Sequence, residues 1–271
     1  MDLPAGPVDR YTHGHEPSAL AAHATRTAAS SAAYLLPELV PGMDVLDVGC
    51  GPGTITLDLA RAVAPGEVIG VENVEAPLRV ARSNAAERGD TTTRFQIADA
   101  YHLPFGDDRF DVVHAHQVLQ HVTDPVAVLV EMGRVCRSGG WVAVRDADYA
   151  AFAWYPESPG IERWLDVYRR LARRNGAEPD AGRRLRSWAR AAGLRDVRLT
   201  SSNWTYATPE STEWWANSQA DRVLGEVFAA QAAEAGVSAS AVSEMAAGWR
   251  AWGTDPDAWF MVPHGELLAR T

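Results

Sequence analysis

Between residues 44 and 147, short apolar runs alternate with stretches whose apolar positions recur at helical spacing. Asp44-Val45-Leu46-Asp47-Val48 reads as a buried strand that runs into Gly49-Cys50-Gly51-Pro52-Gly53, and residues 54–63 then carry Ile55, Leu59 and Ala62 on one helical face. Residues 67–72 predict a second strand. Residues 76–88 predict a helix opened by Pro77 and closed by Gly89. Residues 94–98 and 110–116 are the next strands, and Asp124 caps a helix through Cys136. The turn Ser138-Gly139-Gly140 leads to a fifth strand over 141–145. Strands alternating with helices of this length predict a parallel sheet covered on both faces. Ligands of such sheets bind at the carboxyl ends of the strands, where strand order reverses.

The second half departs from that alternation. Residues 160–175 form an amphipathic helix with Ile161, Trp164, Leu165, Tyr168 and Leu171 on one face. A helix over 183–192 ends at Gly193, and a strand follows over 197–201, reaching toward Tyr206. Thr208-Pro209-Glu210 starts a helical stretch to about Ala235, residues 240–252 make another, and 259–268 close as a strand beside the previous one. The expected fold is α/β, a Rossmann-like seven-stranded, mostly parallel sheet with helices on both faces and helical lid insertions. Within one domain spanning 1–271, residues 1–36 are a helical cap and 37–149 the cofactor-binding core. Segments 150–181 and 209–253 are the lid, and 182–208 with 254–271 complete the sheet. Nine of the ten tryptophans follow residue 150, either as core of the added helices or as walls of an aromatic pocket.

Composition narrows the classes. With 271 residues, 46% hydrophobic and 22% charged, the chain is that of a globular protein able to bury a full core. Its two cysteines, Cys50 and Cys136, form no disulfide framework, and neither a signal pattern nor a membrane span is visible, so the expected location is cytoplasmic. The net charge is -10, and all 25 basic residues are arginine. The absence of lysine removes Schiff-base and P-loop phosphate chemistry. The acidic balance speaks against nucleic acid as partner.

The glycine turn lets backbone approach a ligand closely. Its spacing lacks the third glycine of a nicotinamide fingerprint, because Thr54 follows Gly53, and Asp47 would repel a pyrophosphate. An acid at that point suits a cationic group. Glu72, 23 residues after Gly49, ends the second strand where a carboxylate accepts ribose hydroxyls. Asp99, after the third strand and beside the Ala100 amide, suits an exocyclic amine. Three carboxylates after three successive strands describe one ligand: cationic at one end, ribose in the middle, an aminated base at the other.

Val45-Leu46-Asp47-Val48-Gly49-Cys50-Gly51-Pro52-Gly53-Thr54 resembles the first motif of class I S-adenosylmethionine-dependent methyltransferases. Gly70-Val71-Glu72, Ala98-Asp99-Ala100, Leu103-Pro104-Phe105 and Phe110-Asp111-Val112-Val113 resemble its later motifs, most closely in the small-molecule, UbiE-like branch. The resemblance implies that Asp47, Gly49, Cys50, Gly51 and Thr54 hold the methionine part of the cofactor. It puts Glu72 and Asn73 at the ribose, Asp99 and Ala100 at the adenine, and His116 and Gln117 near the sulfonium. A closing N-terminal segment would bring Arg26 to the cofactor carboxylate, unless that arginine is simply solvated. His121 resembles the histidine of phosphoethanolamine methyltransferases that pairs with a tyrosine, here Tyr11, with His15 in reserve; the competing reading is a structural His121 near the helix cap Asp124. Neither His13-x-His15 nor His114-x-His116 is completed to a metal site. No Asn-Pro-Pro-Tyr tetrapeptide is present, which speaks against methylation of adenine or glutamine nitrogens. The expected activity is in-line methyl transfer to an oxygen, nitrogen or carbon of a small, partly apolar or cationic acceptor, by a monomer or homodimer. The alternative is a cofactor-binding protein of the same fold that catalyses a non-methylating reaction or only binds.

Overall fold

The computed structural model describes residues 25–271, so Tyr11, His13, His15 and most of the expected 1–36 cap lie outside the described residues. The sheet is built around β1 (Val45–Val48), whose four residues are all buried. It lies between and parallel to β2 (Val68–Glu72) and β4 (Phe110–His116), with β3 (Arg94–Ile97) outside β2. β5 (Cys136–Ala147) continues the parallel set on the far side of β4. β1 and β4 are buried along their whole length, as strands covered on both faces are. The order 3-2-1-4-5 reverses between β1 and β4, beside the glycine turn. β6 (Ala153–Tyr155), β7 (Arg195–Tyr206) and β8 (Trp259–Arg270) complete the sheet, and β8 is antiparallel to β5, β6 and β7.

Among the described residues the sheet therefore has eight strands rather than seven. The extra one, β6, has three residues, too few for an alternation to be read. β5 also starts earlier than expected: Phe110 pairs with Cys136 and Val112 with Trp141, so an irregularity takes up Arg137 to Gly140.

Along the chain the helices are α1 (Ala28–Ser31), α2 (Thr54–Val63), α3 (Glu75–Glu87), α4 (Pro125–Val135), α5 (Pro159–Arg174), α6 (Leu185–Ala191), α7 (Pro209–Leu224), α8 (Glu226–Glu234) and α9 (Ala239–Gly253). The expected single helix to Ala235 is two, because Gly225 takes an extended backbone (φ −62°, ψ 150°) between α7 and α8. Period-two alternation splits the strand residues between two cores. Leu46, Val48, Val113 and Val144 pack with Leu129 and Met132 of α4. Val45, Val112 and Ala143 pack with Ile55 and Leu59 of α2 on the other face. A third core joins α5, α7 and α9 to β8 and is aromatic: Trp164 and Trp249 meet edge to face at 5.0 Å, and Trp249 lies 5.4 Å from Phe260. Most of the late tryptophans are thus core. α5 and α9 approach closely because Gly160 faces Gly248; a Cβ on Gly248 would lie 2.7 Å from the Gly160 Cα.

One buried acid positions the loop after β4. Asp146, near the end of β5, is fully buried and accepts the Gln120 N–H at 3.0 Å, while Gln120 Oε1 accepts the Ala147 N–H at 2.9 Å. Burial pushes the Asp146 carboxyl up to about 7, against the lowering effect of the Gln120 and Leu119 backbone N–H groups and of Arg145. Unfolded, the same carboxyl titrates near 4. The folded state therefore holds the proton longer, and this residue's stabilisation is full below pH 4 and is lost as pH rises toward 7. Asp146→Asn keeps the acceptor for Gln120. Its melting temperature relative to wild type is expected to climb between pH 4 and 7 and to stay level above, a differential of a few kcal/mol that scanning calorimetry at several pH values reads directly.

Candidate active site at the strand ends

The turn after β1 is left-handed at Gly49 (φ +68°), and a Cβ there would lie 2.4 Å from Val118 Cγ2, so no other residue fits. Gly51 is also left-handed (φ +54°), but a Cβ on it would meet nothing within 4 Å; its free side faces the cleft. The Gly51 N–H donates to Glu72 Oε1 at 2.9 Å, and the Asn73 N–H to Oε2 at 3.3 Å. The carboxylate at the end of β2 thus fixes the turn at the end of β1. Burial raises the Glu72 carboxyl above its usual range, and the two backbone donors pull it part of the way back.

Asp47 is engaged by the protein on both oxygens. Thr56 Oγ1 donates to Oδ2 at 2.6 Å and His114 Nδ1 to Oδ1 at 2.7 Å, with all three residues buried. Asp47 and His114 are register partners on β1 and β4, so their side chains share one face of the sheet. Asp99 is half exposed; its Oδ1 accepts the Tyr101 N–H at 2.9 Å.

At the end of β4 the backbone bends sharply. Gln117 has φ +55°, rare for a side-chain-bearing residue, and its amide donates to His264 Nε2 at 2.8 Å. His264 in turn donates from Nδ1 to the Val262 carbonyl at 2.9 Å. His116 is buried, and neither ring nitrogen has a partner among the described residues. Burial, reinforced by the charges of Arg26 and Arg145, holds its pKa well below the usual histidine value, so the ring is neutral at physiological pH. His121 receives the Gln120 Nε2–H on Nε2 at 3.0 Å. Because Gln120 Oε1 is fixed by Ala147, the amide orientation is set, and the Nε2 lone pair of His121 is the acceptor.

All the cofactor-binding candidates read from the sequence, Arg26 included, line one cleft together with His121. The opposite wall is aromatic, as the late tryptophans allowed, but its polar members Gln219 and Arg222 were not foreseen. Tyr149, Phe152, Trp164, Trp204 and Trp215 form it, with Gln219 and Arg222 between them. Trp215, Gln219 and Arg222 recur at i, i+4 and i+7 on α7, a periodicity the sequence carried. Of the aromatic residues near the lid, Trp154, Tyr155 and Trp214 stay out of the cleft. The guanidinium of Arg26 lies 5.0 Å from the Trp204 ring centroid. Cys50 and Cys136 are buried and unpaired; burial pushes the first thiol up and the second to about 12, so neither is a nucleophile at neutral pH. Among the described residues, no three His, Cys, Asp or Glu side chains converge as metal ligands, and no helix is long and apolar enough to cross a membrane.

This strand order, with an antiparallel last pair and acids closing β1 to β3 around a glycine turn, is the architecture of class I S-adenosylmethionine-dependent methyltransferases. The chain belongs to the methyltransferase-domain family, whose profile matches residues 39–193. It is 33% identical to an uncharacterised methyltransferase of Schizosaccharomyces pombe, over 97% of each chain. A ubiquinone/menaquinone biosynthesis C-methyltransferase UbiE of Burkholderia cenocepacia is 40% identical over 38% of this chain and 43% of its own. The fold is shared with a phosphoethanolamine N-methyltransferase of Haemonchus contortus solved with S-adenosyl-L-methionine (TM-score 0.52, 17% identity, 84% of this chain and 49% of that one). The protein is an S-adenosylmethionine-dependent methyltransferase, and the UbiE-like resemblance holds.

The two bonds to Asp47 make a prediction. Asp47→Ala leaves a hydroxyl and an imidazole N–H buried without acceptors, at about 1–3 kcal/mol each. Its melting temperature is expected to fall by several degrees, with Asp47→Asn losing less; thermal unfolding of the three proteins checks this.

Proposed function

We propose that this methyltransferase acts on a small-molecule acceptor held between the carboxyl ends of the strands and the aromatic wall contributed by residues 149–152, α5, β7 and α7. The observation that carries the reading is the two-ended cleft: carboxylates and a glycine turn at one end, stacked rings at the other. In this reading segments 150–181 and 209–253 are a lid and 1–36 a cap over the core 37–149, which 182–208 and 254–271 complete. The two unpaired cysteines support a reducing, cytoplasmic location.

The residues present fit the cofactor. Glu72 is half-buried, lines the cleft and has lone pairs left for a ribose diol; Asn73 lies beside it. Asp99 and Ala100 are open to an aminated base. Gly49, Cys50, Gly51 and Thr54 line the cleft where a methionine chain would run, and the open side of Gly51 leaves it room. Asp47 would act on a cationic amine through the field of a carboxylate already bound to Thr56 and His114, rather than through a free oxygen. Arg26, standing on Trp204, would meet the carboxylate end. When bound, the cofactor supplies an electrophilic methyl group on a cationic sulfur.

His116 and Gln117 end β4 next to that position. The neutral state of His116 spares the cationic sulfur a like charge. Alignment of the acceptor by the walls is the main catalytic device, since oriented encounters gain about 7–11 kcal/mol. His121 is our candidate general base, paired with Tyr11. To accept a proton on Nε2 it must exchange the Gln120 contact for the acceptor's hydroxyl or amine.

S-adenosylmethionine and S-adenosylhomocysteine are expected to raise the melting temperature where NAD does not, because a ligand at 100 times its dissociation constant adds about 2.7 kcal/mol. Glu72→Ala should weaken both sulfur ligands at least tenfold by calorimetric titration, and unchanged affinity would sink the site assignment. Transfer of labelled methyl from the cofactor to a product separates transfer from binding alone. His121→Ala is expected to lower kcat 10²–10⁴-fold with cofactor affinity kept, and to erase the acidic limb of the pH–rate profile. Normal turnover at neutral pH would leave His121 a structural residue.

A further inference from the structure

The cleft is polarised. Its cofactor end carries Asp47, Glu72 and Asp99, whereas the only charged side chains lining the aromatic end among the described residues are Arg26 and Arg222. Arg222 holds Nε and Nη2 buried with no hydrogen-bond partner among the described residues. One and two helical turns earlier on the same face of α7 stand Gln219 and Trp215, 2% and 7% exposed, and the Trp215 indole N–H is also buried and unpartnered. A helix burying an arginine fork and an indole N–H without acceptors carries a desolvation cost that only a ligand or bound water offsets.

What they would receive follows from their chemistry. Arginine and indole are donors only, and the guanidinium fork matches two oxygens in one plane. Tyr206, stacked on Trp215 and lining an adjoining cavity with Glu266, has three arginines acting on its hydroxyl, Arg26, Arg222 and Arg145, and all favour an anion. The neighbouring rings favour a flat body: Tyr206 stacks on Trp215 at 4.5 Å and 9° between planes, and Phe152 on Tyr149 at 4.4 Å. Resting on the proposed function of this cleft, we infer that the acceptor is a planar, mainly apolar molecule bearing a carboxylate, and that Arg222, with Gln219 and the Trp215 N–H, receives that group. Of the partly apolar or cationic acceptor expected from the sequence, this is the apolar arm. Net charge is a property of the whole surface, and the wall that faces the acceptor has the opposite sign. The inference concerns recognition; the methylated atom is another atom of the acceptor, nearer His116 and His121.

The test is calorimetric titration of the full-length protein, saturated with S-adenosylhomocysteine, with 1-naphthoate and the isosteric neutral 1-naphthamide. Naphthoate is expected to bind at least tenfold tighter. Arg222→Gln is expected to remove that preference while naphthamide binding stays, and Arg222→Lys to restore part of it, since lysine returns the charge without the fork. Trp215→Phe, which keeps the ring and deletes the N–H, should lower naphthoate affinity alone. Equal affinity for the two probes, no binding of either at millimolar concentration, or a preference that survives in Arg222→Gln overturns the inference. Should Arg222→Gln fail to fold, the wild-type comparison of acid and amide decides by itself. Failure of S-adenosylhomocysteine to bind would defeat the cofactor site instead, so the two readings fail separately.

Discussion

A single buried carboxylate underlies the arrangement of the cleft. Asp47 sits beneath the glycine turn and joins three elements at once: β1 that carries it, α2 through Thr56, and β4 through His114. A carboxylate buried to this degree is tolerable only when hydrogen bonds replace its lost water. Those bonds fix the distance between the two strands at which the sheet order reverses. The Gly49–Gly53 turn, the Glu72 contact to Gly51 and the bend at Gln117 all build on that separation.

The same face of the sheet continues as a row of polar side chains in register. His116 lies beside Arg145, Arg145 beside Glu266, and Glu266 beside Thr200, on β4, β5, β8 and β7 in turn. Glu266 accepts from Thr200 and Ser202 and neighbours the Arg145 guanidinium, whose own pKa burial lowers to about 10. A charge row through a sheet is expensive unless paired, and here Arg145 meets Glu266 of β8 and Ser202 of β7 through its Nε alone. Its effect at the cleft is a steady positive field. Burial, reinforced by that field and by Arg26, keeps His116 and His264 neutral, and Arg145 with Arg26 and Arg222 gives the aromatic wall its polarity. One ligand is thus met by carboxylates and the other by arginines, within a single cleft.

The parallel half of the fold and the cofactor residues were legible because both are local. A strand, a glycine turn and a helix sit within about twenty residues of one another, and each carboxylate directly follows its strand. What escaped reading is non-local. β6 exists because β8 offers it an edge, and its three residues carry no signal of their own. The break at Gly225 is one glycine in a run otherwise suited to helix. The role of Asp47 was half visible: an acid before the glycines could be seen, whereas its engagement by Thr56 and His114 depends on a register set 67 residues away. The aromatic wall with Arg222 needs α7 to be folded back over the strand ends, which no window of sequence shows. Tryptophan enrichment hinted at both core and pocket, and Trp164 and Trp215 serve as both.

β8 carries a consequence for how the molecule is made. Three strands that precede it in the chain, β5, β6 and β7, bond to it, and it contributes Phe260, Leu267 and Leu268 to all three cores. During synthesis the parallel strands and most helices emerge before it, so β5 and β7 wait with a bare edge each until residues 259–270 leave the ribosome. Folding is thus a closing step in which a late segment is threaded between two strands already present. That step sets the interval in which the nascent chain is open to edge-to-edge association.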